Sequence, residues 1–465
     1  MRARVVRLAV IAASALLGAC SMAPAYRPPQ TIAPQDYKEV AGWTQATPLD
    51  TAARTAWWEA FNDPILNDLE IRAEKASPTL AAALARYDGA LAAARVERAD
   101  LFPTVVAGGD ASRQRLSGGR FGGDGNARTY KDFSVSGALD YEIDLWGRIR
   151  NGVASARADA EASEADLASA RLSLQAAVAD AYVRLRGLDA QADLLRQTVE
   201  AFEKAYDLTV RRHNGGIASG IDVNRARTVL GNARAQISAV AAERAATEHE
   251  IAALVGELAS NFSIPPAVQP LDAPALPAGT PSHMLQRRPD IAAAERRMAA
   301  ANARIGVARA AFFPTLTLGG AAGFETTHGQ LLQTPNSFWG LGPLAAVLTL
   351  FDGGRRTSQV KMSRAEYEEL AAGYRDTVLS AFRQAEDAIA TNRLLAVQTG
   401  DQRSAAEAAA RTSSLALTRY RNGAADYLEV VTAQTDALEA QRATLALETQ
   451  RMRGSVALVK AIGGS

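Results

Sequence analysis

The sequence predicts a mainly α-helical chain with a small β part, built twice over. Three observations carry this. First, Ala99–Thr104 reads A-D-L-F-P-T and Ala310–Thr315 reads A-A-F-F-P-T, an offset of 211 residues. Arg86, Ala90, Val96 and Arg98 match Arg297, Ala301, Val307 and Arg309 at the same offset, and Leu208–Gly215 matches Ala416–Gly423 at an offset of 208. So long a period marks two equivalent halves, not a solenoid. Second, Phe133, Val135, Leu139, Tyr141, Ile143 and Leu145 alternate with Ser134, Ser136, Asp140, Glu142 and Asp144. This period of two describes a strand with one apolar and one polar face. Third, no proline interrupts Trp146 to His213, and Gly187 is the one interior glycine after Gly152. At about 1.5 Å per residue such a helix is roughly 100 Å long, more than an ordinary soluble domain needs.

The elements follow in order. Arg2, Arg4 and Arg7 precede the ten-residue apolar stretch Leu8–Leu17. That is a targeting segment, too short to span a bilayer. Leu17-Gly18-Ala19-Cys20 resembles a lipoprotein signal, cut before Cys20, the only cysteine of the chain. Two or more acyl chains there would anchor the protein stably. Residues 1–19 are therefore the signal peptide. Residues 20–62, with Pro24, Pro28, Pro29, Pro34 and Pro48, form a polar strap. A first repeat is expected over 63–260, a linker with seven of the 18 prolines over 261–289, and a second repeat over 290–465.

Asp63-Pro64 and Ser77-Pro78 each place a capping residue before a first-turn proline, so helices are expected from both points. Phe102–Arg115 is the expected partner of the alternating strand across the Gly-rich loop Ser117–Gly125. That loop matches no phosphate-binding pattern and lies between strands. The second half repeats the pair as Phe313–Phe324 and Phe338–Phe351. The first long helix carries a heptad stripe through Leu167, Leu174, Val178, Ala181, Leu185, Leu188, Ala192, Leu195, Val199, Phe202 and Tyr206, broken once by Arg171. The second, Gly353 to Asn422, has Val378, Phe382, Ala385 and Ile389 on one stripe. Asn214-Gly215 and Asn422-Gly423 supply the left-handed residue that ends each helix. Return helices Asp222–Leu258 and Asp426–Ile462 follow.

Composition excludes several classes. Loss of residues 1–19 leaves 48 basic against 50 acidic residues, a net charge of −2 and no basic footprint for nucleic acid. No later run of 18 apolar residues could form a transmembrane helix. His213, His249, His283 and His328 are scattered, and His249-Glu250 lacks a second histidine four residues on. No catalytic or metal-ligating set is visible, and no cofactor is expected.

Several stretches resemble the TolC-like outer membrane factor family, in its lipoprotein branch of efflux outer membrane subunits (NodT type). They are Trp57-Trp58-Glu59-Ala60-Phe61-Asn62-Asp63-Pro64, Leu276–Ile291, Ile305–Pro314, Asp144-Leu145-Trp146-Gly147-Arg148 and Arg419–Val431 with Tyr427 and Glu429. The resemblance spans essentially the whole mature chain. It implies a homotrimer with a long α-helical barrel, in which each chain gives four strands to one 12-stranded transmembrane β-barrel. Closure by several chains also follows physically. Four strands cannot close a barrel alone, and an open edge cannot sit in lipid. The resemblance further implies an outer-membrane, lipid-anchored channel reaching into the periplasm, joined by an adaptor (membrane fusion) protein to an inner-membrane pump of the RND type. It would be a passive duct for small molecules and not an enzyme. Type I protein secretion and heavy-metal efflux are the alternatives.

Two candidate sites follow. Leu208, Arg211, Arg212, Asn214, Gly215, Leu415, Arg419, Arg421, Asn422 and Gly423 would form the periplasmic tip, the gate and the adaptor contact. The four arginines would crowd there, with Asp207 and Asp426 as the nearest acids. Equally, they could simply cap helix C-termini. Asp140, Glu142 and Asp144, opposite the apolar face, would line the barrel lumen and favour cations.

Overall fold

A computed structural model of the chain describes residues 21–27, 37–39, 56–119, 125–268 and 287–464. Cys20, the expected signal peptide, most of the expected strap and residues 269–286 of the expected linker lie outside the described residues. The elements come in two parallel series. Helix α1 (Pro64–Ala76) precedes both. The first is α2 (Pro78–Ala99), β1 (Thr104–Leu116), β2 (Arg128–Glu142), α3 (Arg148–Asn214) and α4 (Gly220–Leu254). The second is α5 (Pro289–Ala310), β3 (Thr315–Thr326), β4 (Ser337–Val347), α6 (Arg355–Arg421) and α7 (Tyr427–Ile462). α2 and α5 have 22 residues each, and α3 and α6 have 67 each. The duplication is thus structural as well as textual. The strands differ from expectation at their ends. β2 stops at Glu142, so Ile143, Asp144 and Leu145 lie beyond it, and β4 stops at Val347 instead of Phe351.

The chain divides into two compact units. One contains 1–30, 86–164 and 293–375, with the sheet. Here Arg304 of α5 bridges Asp159 of α3 and Glu366 of α6, both at 2.6 Å. The segment after Cys20 is held by side chains. Ser21 donates to Asn151 Oδ1 at 2.9 Å, Asn302 donates to the Pro24 carbonyl at 2.9 Å, and Tyr26 donates to Glu295 at 2.5 Å. Gly306 makes room for this strap, because a Cβ there would press on Ala23 and Asn151.

The other unit contains 31–85, 165–292 and 376–465. Its core joins Trp57, Trp58, Phe61, Leu66 and Leu69 to Tyr182 and Leu185 of α3 and Ile251 and Val255 of α4. The heptad stripe is the buried one: Leu174, Val178, Ala181, Leu185, Leu188, Leu195 and Phe202 are all buried. Arg171, which breaks the heptad, pairs with Glu74 at 3.1 Å. Asp63 caps α1 by accepting from the Ile65 and Leu66 N–H groups at 2.8 and 3.3 Å. It also accepts from Tyr182 Oη at 2.8 Å and lies 4.0 Å from buried Arg186. Asp63→Ala removes a cap, a buried hydrogen bond and the counter-ion of Arg186. A loss of about 3–5 kcal/mol is expected, read as a fall in the midpoint of thermal unfolding.

Glu70 is the unusual core residue. It shares the buried stripe of α1 with Leu66, Leu69 and Ala73, while neighbouring Ile71 is exposed. Among the described residues, neither carboxyl oxygen has a hydrogen-bond partner. Burial, and secondly the nearby Glu74, push its pKa from 4.5 up to about 9. The folded state therefore holds a proton that the unfolded chain releases near pH 4.5. Stability from this group is complete below that pH and declines as pH rises toward about 9. The slope is about 1.4 kcal/mol per pH unit, or about 3 kcal/mol lost by pH 7. Glu70→Gln is expected to flatten the pH dependence of thermal stability between pH 5 and 8. An unchanged slope in the variant would assign the dependence elsewhere.

Candidate functional site

The sheet runs β1-β2-β3-β4, antiparallel throughout, with β1 and β4 as free edges. Its register decides which side chains share a face. Val105 pairs with Leu139, Gly109 with Val135 and Ala111 with Phe133. Val135 pairs onward with Phe324 and Tyr141 with Leu318, then Leu318 with Leu344 and Ala322 with Trp339. Because faces alternate residue by residue, these apolar side chains form one continuous face. It is uncovered: Trp339 is 83% and Leu341 77% exposed. Gly323 cannot carry a side chain without a shift, since a Cβ there would run into the Val135 carbonyl and Ser136. Pro343, which has no N–H to give, stands in edge strand β4.

The opposite face is polar. It carries Asp110, Ser112 and Gln114 from β1, Asp132, Ser134, Ser136, Asp140 and Glu142 from β2, and Glu325 from β3. Asp140 and Glu142 are thus where alternation placed them, but the three expected acids are not equivalent. Glu142 is held by Arg148 through two bonds of 2.7 Å. Asp144 lies beyond the strand and accepts from the backbone N–H and Nε of Arg150 at 2.9 and 3.2 Å. Both carboxylates serve the turn into α3. Sequence reading missed Asp110, Asp132 and Glu325, although alternation along β1, the start of β2 and β3 contained the signal. Ser134 pairs with Asp110 on one side and Glu325 on the other, so these acids stand in one row.

At the far ends of the long helices the two turns have one design. Ile217 N–H donates to the Arg212 carbonyl and Gly216 N–H to that of His213. In the second turn Ala424 donates to Arg419 and Gly423 to Tyr420. These are Schellman motifs, with left-handed Gly216 (φ 75°) and Gly423 (φ 79°) at the C′ position. Gly215 is therefore not the left-handed residue, and the true offset between the tips is 207, not 208. Counting Asn-Gly dipeptides matched the wrong glycine. Helix geometry matches Gly216 to Gly423, and N-caps Ser219 and Asp426 follow at the same spacing.

Within one chain the four tip arginines have different surroundings. Arg212 lies over the Tyr420 ring, 4.4 Å from its centre, and donates to the Tyr420 carbonyl. Arg419 pairs with Glu429 at 2.7 Å and caps its own turn through the Ala424 carbonyl at 3.2 Å. Its acid thus comes from the return helix α7, not from Asp207 or Asp426. Arg211 and Arg421 stay exposed, as do Leu415 and Asn422. Beneath them Tyr420 and Tyr427 meet edge to face at 5.3 Å, packed with Ala226 and Val430. Burial pushes the Tyr427 hydroxyl up to about 12, so it stays protonated.

One chain thus combines an uncovered amphipathic four-stranded sheet with long helices that end in matched tips. The outer membrane efflux protein family matches residues 71–257 and 280–464. This chain belongs to that family. It is an outer-membrane channel protein and not an enzyme. It is similar to the probable efflux pump outer membrane protein TtgC of Pseudomonas putida, with 32% identity over 97% of this chain and 93% of TtgC. It is also similar to the pyoverdine export outer membrane protein OpmQ of Pseudomonas aeruginosa, with 34% identity over 98% of this chain and 96% of OpmQ. Among solved structures it matches the outer-membrane channel OprN with a TM-score of 0.90 at 30% identity, over 96% of this chain and 99% of that one.

Proposed function

We propose that three copies of this efflux protein close one 12-stranded barrel in the outer membrane and form a passive exit duct for small molecules. An adaptor protein would join it to an inner-membrane pump of the RND type. One observation carries this: the sheet has a continuous uncovered apolar face and two unpaired edges, β1 and β4. In lipid an open edge leaves backbone groups unsatisfied, so further copies must complete the barrel. The names of its relatives favour small cargo, since one is a pump component and another exports pyoverdine. In this reading residues 1–19 are removed and Cys20 is acylated. Residues 63–260 and 290–465 act as repeats joined by the linker 261–289. The polar sheet face lines water, and the two tips form the gate and adaptor contact.

In a strain lacking its own outer-membrane efflux channels, this chain with its cognate adaptor and pump is expected to restore resistance to small toxic compounds. Correct insertion without any gain in resistance would contradict the efflux reading.

The polar face sets ion preference. Among the described residues no arginine pairs with Asp140, whereas Arg148 pairs with Glu142. Asp140→Asn is therefore expected to lower cation selectivity more than Glu142→Gln, measured as the reversal potential in a salt gradient. Equal shifts would show that Arg148 does not screen Glu142.

A further inference from the structure

On the apolar face of the sheet, the run of uncharged side chains stops at the hairpin end of β1 and β2. Arg113 and Lys131 are cross-strand partners, so they stand directly opposite one another on that face. Arg115 follows two residues on, on the same face. All three are exposed. Their neighbours on that face, Ala111, Thr129 and Phe133, carry no charge. The acids of these strands, Asp110, Asp132, Asp140 and Glu142, lie on the opposite face. Among the described residues, no carboxylate pairs with any of the three cations. Like charges directly opposite in an antiparallel pair destabilise it unless something anionic lies across them.

Their depth says what that is. From Val105 to Arg113 the strand advances eight residues, about 27 Å. A tilt of about 40° reduces this to about 21 Å along the membrane normal, against an apolar band about 25 Å tall. With Val105 at the inner edge, Arg113 and Lys131 therefore sit about 4 Å inside the outer edge of the band, and Arg115, about 26 Å from Val105, sits at that edge. Phe133, level with Ala111, lies about 5 Å further inward. The second hairpin has no counterpart, since Phe324, Thr326, Ser337 and Trp339 hold the corresponding face.

We propose that Arg113, Arg115 and Lys131 form a clamp for the phosphorylated head group of an outer-leaflet glycolipid, once per protomer. This rests on the reading of the sheet as an outer-membrane barrel. Guanidinium forks match phosphate oxygens two at a time, and Lys131 adds a third positive charge opposite them. The clamp would fix the height and rotation of the β1–β2 hairpin in the bilayer.

The test is native mass spectrometry of the full-length lipidated protein, extracted from nanodiscs containing equal amounts of a bis-phosphorylated glycolipid and its dephosphorylated form. About tenfold preferential retention of the phosphorylated lipid is expected. The triple variant Arg113→Ser, Arg115→Ser, Lys131→Ser should retain both forms alike. Arg128→Ser, at the same end but on the opposite face, should keep the preference. Inorganic phosphate at millimolar concentration should not compete, because the acyl chains supply part of the binding. Equal retention of the two lipids by the unmodified protein overturns the clamp, and that measurement does not depend on a variant folding. So does a triple variant with undiminished preference, or complete competition by inorganic phosphate. Failure of the unmodified protein to enter nanodiscs would instead strike the barrel reading itself.

Discussion

Val135→Lys is expected to abolish insertion into the outer membrane, whereas Ser136→Lys is tolerated. Both residues lie midway along β2, one bond apart in the chain. Val135 pairs with Gly109 and Phe324 on the apolar face, and Ser136 pairs with Gly108 and Gly323 on the polar one. A lysine on the lipid face near the midplane costs roughly 2–4 kcal/mol. At about 1.4 kcal/mol per decade, the insertion equilibrium shifts by about 30- to 1000-fold for each copy. Leu139→Lys, on the same face as Val135, should behave likewise. The assay is the yield of protein resistant to alkaline extraction from outer-membrane fractions. Equal yields for the three variants would mean that the register does not set a lipid face.

The second large effect is expected at the tips. Tyr420→Ala should raise the conductance of the assembled channel several-fold and lower its thermal stability. Tyr420 is buried and holds four contacts at once. Its ring carries Arg212 and packs on Tyr427, its hydroxyl lies 3.4 Å from Thr209 Oγ1, and its carbonyl accepts from Arg212. Its contacts therefore tie the end of α6 to the end of α3. Truncating a buried aromatic costs about 3–5 kcal/mol, which the tip cannot recover by collapse because its left-handed glycines already fix both turns. Arg421→Ala removes an exposed side chain that makes no hydrogen bond or ion pair among the described residues, and should leave stability within about 0.5 kcal/mol. Lower stability with unchanged conductance would show that the tip is a structural cap and that the constriction lies elsewhere.

Much of this architecture was legible in the sequence because it rests on periodic burial. The 3–4 spacing from Leu174 to Phe202 appears directly as the buried stripe of α3. Alternation from Phe133 to Tyr141 gave the faces of β2. What periodicity could not supply were relations between distant segments. Glu429 as the partner of Arg419, and Tyr420 as the platform for Arg212, depend on how return helices pack, and no local pattern encodes that. The tip offset was missed by one residue because Asn-Gly was matched as text, whereas the helix end selects whichever glycine falls at C′. Asp144 was placed on the strand because alternation continues through it. The ladder ends first, where Arg148 and Arg150 recruit Glu142 and Asp144 to start α3. Glu70 shows the limit of composition reading: an acid occupies a core position that the helical pattern would give to Ile71.

We propose that several copies of this chain jointly close a conducting barrel that narrows at its helical tips. Planar-bilayer conductance of the purified, lipidated protein, with the oligomeric mass measured on the same sample, tests it most directly. A trimer is expected, with low, sporadic conductance that becomes steady in Tyr420→Ala. A monomer without conductance would contradict it, because the free edges of β1 and β4 would then have no partner in the membrane.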